Sequence, residues 1–237
     1  MPKPPSRRRP PIQQLREILA ILRSPEGCPW DREQDHRSLR FHAVEEVYEL
    51  IDAIEAGDDP EVAEELGDLL LQVVFHAQLG RERGVFDFDT VCQRLVDKLI
   101  RRHPHVFGEV KVRDVDQVWA NWEAIKRAEK AGSRHERKSA LDGVPAHLPA
   151  LLRAQKVQKK AVKAGLAGPA SGSGPSSPRR MAGELFRLAE HCQARGWSAE
   201  ELLRGEIRRR EQAWRRAEAR AIPAQRARAG RRPPRPA

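Results

Sequence analysis

The chain has few aromatic residues and few cysteines, and both shortages narrow the possible folds. Aromatic residues make up 5% of its 237 residues, with a single tyrosine. Alanine, leucine, glutamate and arginine are abundant instead, which is typical of helical proteins rather than of β-sandwiches. Cys28, Cys92 and Cys192 lie far apart and form no CxxC pair. A disulfide framework and a zinc knuckle are therefore excluded, and a reducing cytoplasm is the expected compartment.

Long apolar runs are also missing. No stretch approaches the roughly 18 consecutive apolar residues that a membrane span needs. The first eleven residues are basic and proline-rich, with no apolar segment behind them, so we expect no secretory signal. The sequence therefore predicts a protein that does not engage a membrane.

Positive charge is concentrated at the two ends of the chain. The formal net charge is +10. Residues 1–11 contribute +4 and residues 204–237 contribute +9, which leaves the middle slightly acidic at −3. A basic tail can contact nucleic acid through its phosphates without sequence specificity. The alternative is a solvated, disordered tail, which the composition favours.

Apolar residues recur with a helical period along most of the chain, and no segment has a convincing strand period. We therefore expect an all-α fold. The pattern predicts helices over residues 12–22, 38–56, 59–83, 89–103, 116–130, 151–163, 181–195 and 199–221. Asp59, followed by Pro60, is the expected cap of the third helix, and Thr90 with Gln93 a possible capping box of the fourth. Residues 69–75 are apolar on almost all sides and should be central in a bundle.

A segment rich in small residues divides the helices. Eleven of the fourteen residues 165–178 are glycine, serine or proline, a composition typical of a flexible linker. We therefore divide the chain into five parts. They are a disordered basic tail (1–11), a main helical domain (12–164), a linker (165–180), a second helical region (181–222) and a second disordered basic tail (223–237).

Acidic residues are concentrated in one part of the main helical domain, with no basic residue among them. Residues 41–80 contain eleven Asp and Glu and no Lys or Arg. Glu46 and Glu49 are three residues apart, as are Glu65 and Asp68, so each pair points to one side of its helix. If the two helices pack antiparallel through the turn at 57–59, the pairs can face each other. Their oxygen atoms and charge suit Mg²⁺ or Mn²⁺.

Asp68 stands directly before the apolar run and should be partly buried. A buried charge must be paired or bound to a metal. The alternative to a metal site is an acidic, solvated helix pair in which an arginine neutralises Asp68. Spacing alone does not decide between the two.

Several blocks resemble the MazG family of nucleoside triphosphate pyrophosphohydrolases over about residues 12–166. Besides the Glu45-Glu46-x-x-Glu49 and Glu65-x-x-Asp68 motifs, they are GCPWD at 27–31, EELGDLL at 64–70, RRHPHVFG at 101–108 and LDGVP at 141–145. The resemblance implies a helical homodimer that cleaves a nucleoside triphosphate between the α and β phosphates, giving a monophosphate and pyrophosphate. It also implies a Mg²⁺ cofactor, with Mn²⁺ as a substitute, and attack by a metal-activated water. Residues 12–164 would be the catalytic domain. Residues 181–222 would be a degenerate second copy, because no Glu-Glu-x-x-Glu follows residue 166.

The resemblance also implies a role for individual residues. The metal ligands would be Glu46, Glu49, Glu65 and Asp68. Glu45 or Glu49 would accept the proton of the attacking water. Substrate contacts would come from His42, Glu45, Glu61, Glu64, Lys98, Arg102 and Trp122. From the residues alone, Lys98 and Arg102 could equally be a solvated helix end, and Trp122 could pack in the core beside Trp119.

Two hypotheses follow. The first is a Mg²⁺-dependent nucleoside triphosphate pyrophosphohydrolase. The second is a non-catalytic, acidic helical dimer whose basic tails bind nucleic acid or a partner protein. The sequence contains no GxxxxGK[ST] phosphate loop and no GxSxG, so direct attack by water is simpler than covalent catalysis. The complete carboxylate set, together with Lys98 and Arg102, favours the enzyme.

Overall fold

Every regular element that the computed structural model describes is a helix, so the all-α fold class is confirmed. The structure describes residues 4–133, 136–168 and 177–229, apart from the side chains of Arg127 and of 222–229. The helices are α1 (Pro11–Leu22), α2 (Pro29–Glu33), α3 (His42–Ala56), α4 (Asp59–Glu82), α5 (Phe88–Arg102), α6 (Pro104–Phe107), α7 (Val115–Ala128), α8 (Ala150–Lys163), α9 (Pro178–Ala194) and α10 (Ala199–Ala229). Within these residues, no helix is both long enough and apolar enough to cross a membrane.

Two of the helices are short and form where the sequence predicted loops. Both α2 and α6 begin at a proline, Pro29 and Pro104. Proline suits the first helical turn because its φ is already fixed and its missing N–H has no partner there anyway. The second predicted helix begins at His42 rather than Ser38, because Ser38–Arg40 forms a separate 3₁₀ turn.

The caps of α4 and α5 lie earlier in the chain than predicted. Asp58, not Asp59, caps α4, and its carboxylate accepts a hydrogen bond from the backbone N–H of Glu61 at 3.3 Å. Asp87, not Thr90, caps α5, and its Oδ1 accepts from the backbone N–H of Thr90 at 2.8 Å. A cap accepts from the N–H two or three residues further on, so in both helices the earlier aspartate satisfies an N–H of the first turn.

The chain forms two compact units, residues 1–122 and 123–237, and the border lies within α7. These units are defined by contacts, whereas the five predicted parts rest on sequence pattern, so the predicted boundaries stay a prediction. The centre of the predicted linker, residues 169–176, and the ends of both predicted tails, 1–3 and 230–237, lie outside the described residues. Helix α10 itself continues to Ala229, past the predicted end at 221 and through Pro223, a residue that disfavours a helix interior.

In the first unit, α3 and α4 form an antiparallel hairpin, as the spacing of the carboxylates required. Gly57 ends α3 with a left-handed φ of 71°, a conformation that glycine adopts without strain. The C-terminal half of α4 packs into the core of this unit. That core consists of Leu19 from α1, Leu39 from the 3₁₀ turn, and Val74, Phe75 and Leu79 from α4.

Arg23 fixes the loop between α1 and α3. Its side chain is only 8% exposed. The guanidinium donates to both carboxylate oxygens of Glu82, at 2.8 and 2.7 Å, and to the backbone carbonyl of Gln34 at 3.2 Å. It also contacts the carbonyl of Asp31 and lies 5.4 Å from the ring centroid of Phe75. The hydrogen bonds from Arg23 lower the pKa of Glu82. One buried cation therefore ties this loop to α4.

Replacing this cation should destabilise the first unit. In Arg23→Met, Glu82 keeps only its hydrogen bond from Gln78, and two backbone carbonyls lose their bonds from Arg23. We therefore expect the free energy of unfolding to fall by about 2–3 kcal/mol. Urea unfolding followed by circular dichroism measures the change. Arg81→Met is the control, because Arg81 is exposed on the same helix, α4, and should stay within about 0.5 kcal/mol of the wild type. Equal losses in the two variants would contradict the anchoring role.

In the second unit, α8 packs against α10. Ala150, Val157 and Ile207 form its buried core, with Leu203 and Trp214 packed against them. The region after the predicted linker therefore folds back onto the helix that precedes the linker.

Polar contacts accompany this packing. Arg153 of α8 and Glu211 of α10 form an ion pair whose side chains are only 10% and 12% exposed. Arg204 of α10 donates to the backbone carbonyls of Ala146 and Leu148, at 2.8 and 3.0 Å. The connection that precedes α8 is thus attached to the C-terminal helix.

Candidate active site

Helix α3 has two opposite faces. At about 100° per residue, one side carries the polar residues His42, Glu45, Glu46 and Glu49, and the other side carries the apolar residues Val44, Val47, Tyr48 and Ile51. The polar side meets α4, because Gln72 of α4 donates through Nε2 to Oε1 of Glu46 at 3.4 Å.

Three glutamates meet between α3 and α4. Glu46, Glu49 and Glu65 each place a carboxylate oxygen within 4.8 Å of the other two. Glu65 is buried, Glu46 is half-buried and Glu49 is exposed, so the cluster opens to solvent at Glu49. Asp68 is not among the three but lies half-buried one turn after Glu65, and its charge acts on both Glu46 and Glu65.

One oxygen in the cluster has no hydrogen-bond donor. Oε2 of Glu65 is buried and accepts no hydrogen bond from any described residue. The same holds for Oε1 of Gln72 beside it. An unsatisfied buried oxygen costs free energy, and a cation would satisfy it. The residues therefore fit a hard divalent cation, since every atom on offer is an oxygen.

The electrostatics of the cluster are those of like charges held together. Burial raises the pKa of Glu46, and the negative charges of Asp68 and Glu49 raise it further. Burial likewise raises the pKa of Glu65, with added contributions from Glu49 and Glu61. Metal binding requires both carboxylates to be deprotonated, so the affinity for a cation should increase with pH.

Removing one of these charges should stabilise the metal-free protein. A carboxyl whose pKa is raised by folding binds more protons in the folded state, so its contribution to stability falls as the pH rises through that pKa. The Glu65→Gln variant carries no charge at this position at any pH, so it avoids this loss of stability. We expect its melting temperature in EDTA at pH 8 to exceed that of the wild type by a few degrees.

Two controls apply to this comparison of melting temperatures, namely its pH dependence and the Glu55→Gln variant. The difference should shrink as the pH falls toward about 3, below the ordinary pKa of glutamate, where Glu65 is mostly protonated in both states. Glu55→Gln changes an exposed glutamate of α3 outside the cluster and should leave the melting temperature nearly unchanged. A lower melting temperature for Glu65→Gln at pH 8, measured by calorimetry, would show that repulsion does not dominate at this site.

The other predicted substrate residues of α3 and α4 lie around the cluster. His42 Nδ1 is 3.2 Å from Oε2 of Glu45, and both side chains are exposed. Glu61 is exposed one turn before Glu65, on which its charge acts. Glu64 is exposed on the same helix. Among the described contacts, His42 and Glu45 thus bind each other, and the charge of Glu61 acts on Glu65 of the cluster.

The predicted basic pair lies on α5. Lys98 and Arg102 are half-buried and one turn apart. Lys98 lines a shallow cavity of about 510 Å³ together with Leu95, Arg94 and Arg101. None of the clustered glutamates is among the described residues that line this cavity. A phosphate contact by the pair stays a prediction.

Trp122 lies in an aromatic group. Its ring centroid is 5.3 Å from that of Trp119 and 6.3 Å from that of His103. Trp122 is half-buried, whereas Trp119 is 53% exposed. Trp122 contacts a tryptophan that is exposed rather than in a core, so core packing and a nucleotide contact both stay predictions for Trp122.

Sequence reasoning gave no role to two residues that the structure places at this site. Gln72 bonds to Glu46, and a polar residue inside the apolar run 69–75 was a signal for such a contact. The ring centroid of Trp30 lies 6.1 Å from that of His42. Trp30 belongs to a block that carries the family resemblance, but no spacing rule connects it with His42.

Comparison with known proteins places this geometry in a family. Residues 34–107, which include all three clustered glutamates, match the MazG nucleotide pyrophosphohydrolase domain. The chain is 42% identical over 197 residues to an uncharacterized 26.1 kDa protein from Streptomyces cacaoi, covering 82% of this chain and 78% of that protein. This chain belongs to the MazG family.

Relatives of this MazG protein with a named activity are longer. It is 48% identical over 155 residues to the nucleoside triphosphate pyrophosphohydrolase of Escherichia coli, which is 65% of this chain and 58% of that protein. Across this and five further curated relatives, the chain spans 29% to 58% of the relative's length. A crystal structure of a MazG-related protein from Thermotoga maritima is 26% identical, with a TM-score of 0.41, and covers 48% of this chain and 97% of that one.

Proposed function

We propose that this MazG protein is a Mg²⁺-dependent nucleoside triphosphate pyrophosphohydrolase. The observation that carries the proposal is the buried oxygen of Glu65, which has no donor among the described residues and lies in a cluster with Glu46 and Glu49. The names of the relatives supply the substrate class. The reaction would add water across the bond between the α and β phosphates and release a nucleoside monophosphate and pyrophosphate. The proposed compartment is the cytoplasm.

The cluster would hold the cofactor. Glu46, Glu49 and Glu65, with Asp68 beside them, would bind Mg²⁺, with Mn²⁺ as a substitute. When bound, such an ion would offset the charge of the phosphates and lower the pKa of a bound water. Burial, and then repulsion by neighbouring carboxylates, raises the pKa values of Glu46 and Glu65. The raised values support this assignment, because a cation would offset both effects.

Glu45 is the better of the two candidates for general base. Glu49 belongs to the cluster, so its oxygens would be engaged by the cation. Glu45 lies outside the cluster, is exposed, and is oriented by His42 at 3.2 Å. An exposed carboxylate next to the ligand Glu46 could take the proton of the attacking water. Lys98 and Arg102 would offset the charge of the leaving pyrophosphate.

Turnover with and without Mg²⁺ tests the proposal. We expect the wild type to release pyrophosphate from a mixture of nucleoside triphosphates only when Mg²⁺ or Mn²⁺ is present. Glu49→Gln and Asp68→Asn should each lower kcat by roughly 100-fold or more, because they weaken the metal site, while the helical circular dichroism signal is retained.

A matched variant separates the site from the general acidity of α3. Glu55→Gln removes one negative charge from α3 without touching the cluster, and its kcat should stay within about twofold of the wild type. Full activity in both Glu49→Gln and Asp68→Asn would disprove the site. Absence of pyrophosphate release by the wild type with every nucleotide would disprove the function.

A second copy of the chain would cover the outer face of the helical hairpin. Seven large apolar residues on α3 and α4 are 40% to 51% exposed, namely Val44, Val47, Tyr48, Ile51, Leu66, Leu70 and Val73. Exposed large apolar side chains in this number on two neighbouring helices are typical of a surface that packs against a partner. Two such hairpins could pack face to face as a symmetric four-helix arrangement. The observation supports a homodimer.

A charge on this face should separate the two copies. In Ile51→Lys, pairing would bury two unpartnered ammonium groups, so we expect light scattering at micromolar protein to report a monomeric mass. Ile18→Lys is the control, because Ile18 on α1 is equally exposed at 40%, against 41% for Ile51, and lies outside this face. A monomeric wild type that retains full activity would contradict the proposed dimer.

A further inference from the structure

An exposed tryptophan contacts the histidine that lies one helical turn before the carboxylate cluster. Trp30 is 53% exposed, and its ring centroid is 6.1 Å from that of His42, at an interplanar angle of 67°. His42 precedes Glu46 by four residues on the polar side of α3, which is about 6 Å along the helix axis. His42 therefore links the ring of Trp30 to the side of α3 that carries the cluster.

The backbone that carries Trp30 is firmly held. Its carbonyl accepts a hydrogen bond from Nε2 of Gln34 at 2.9 Å, and Arg32 donates to the carbonyl of Pro25 at 3.0 Å. The buried Arg23 anchors two further carbonyls of the same loop, those of Asp31 and Gln34. The ring is thus held in place with about half of its surface in water. Such a preorganised aromatic surface binds a flat ligand at little cost in conformational entropy.

We propose that Trp30 stacks on the nucleobase of a nucleoside triphosphate whose phosphates lie at the carboxylate cluster. This inference rests on the proposed function and names the part of the site that recognises the base. The phosphates of such a ligand would lie against Glu46, Glu49 and Glu65, the ribose would pass His42, and the base would reach Trp30. The order of these groups along α3 is the order in which a nucleotide presents them.

Recognition by stacking defines the substrate class. Every base has a π face, so stacking tolerates purines and pyrimidines alike. The site would therefore accept nucleoside triphosphates of different bases and bind them more tightly than an inorganic polyphosphate, which has no ring to stack. Stacking of one base typically changes affinity by about 5- to 150-fold.

Kinetics of Trp30→Ala and Trp30→Phe test the inference. In Trp30→Ala we expect KM for ATP, GTP, CTP and UTP to rise by about 5- to 150-fold, while kcat changes by less than about threefold. Trp30→Phe retains an aromatic face and should keep most of the affinity. Inorganic tripolyphosphate, added as an inhibitor, should show the same inhibition constant in the wild type and both variants, because it lacks a base.

Trp197→Ala is the matched control. Trp197 is 52% exposed and belongs to the second unit, so its loss should leave KM unchanged. Circular dichroism and light scattering confirm that each variant keeps its fold and mass. An unchanged KM in Trp30→Ala would overturn the inference. An equal loss of affinity for tripolyphosphate, or a change of mass that accounts for the loss, would also overturn it.

A binding measurement without turnover keeps this inference separate from the proposed function. Stacking of a base should quench tryptophan fluorescence when ATP is added in the presence of Ca²⁺, and the quenching should be lost in Trp30→Phe but retained in Trp197→Phe. If the wild type released no pyrophosphate, the proposed function would fail, and this titration would still decide whether Trp30 binds the base. Equal quenching in the wild type and Trp30→Phe would exclude Trp30.

Discussion

The antiparallel contact between α3 and α4 holds together charges that would otherwise separate. Glu46, Glu49 and Glu65 lie within 4.8 Å of one another although each repels the others. The free energy that opposes this repulsion comes from elsewhere on α4, where Val74, Phe75 and Leu79 are buried against α1 and the 3₁₀ turn. The acidic site therefore exists because one end of α4 is fixed in a core while the other end carries the charges. A bound cation would remove the repulsion and leave the packing unopposed.

The loop after α1 depends on the same core. Arg23 is buried over Phe75 and bonded to Glu82, both on α4, and it holds the carbonyls of Asp31 within α2 and of Gln34 directly after it. The position of the exposed Trp30 is thus set by a cation buried on the opposite side of the loop. The core, the loop after α1 and the carboxylate cluster all contain or contact residues of α4. A change in any one of them should therefore affect the other two.

Much of this arrangement could be read from the sequence, for reasons that particular residues make clear. The long helices have an apolar period, and the three-residue spacing of Glu46 with Glu49 predicted which side they share. Helices α2 and α6 are too short to show a helical period of apolar residues, so their first-turn prolines were the only sequence signal for them. The contact of Trp30 with His42 joins residues of different elements through a loop, and no local spacing encodes it. Glu65 is one of many acidic residues in its segment, and its burial could not be predicted because it depends on how α3 packs against α4.

The opposite faces of α3 also restrict how this family can vary in length. Each inserted residue turns the rest of a helix by about 100°. A single insertion after Glu46 would rotate Glu49 away from Glu65 and, in the same step, move Ile51 off the apolar side. Register within α3 is therefore shared by two surfaces, and length changes are confined to the segments on either side of it. Natural insertions and deletions should cluster between α6 and α7, where no such double constraint applies.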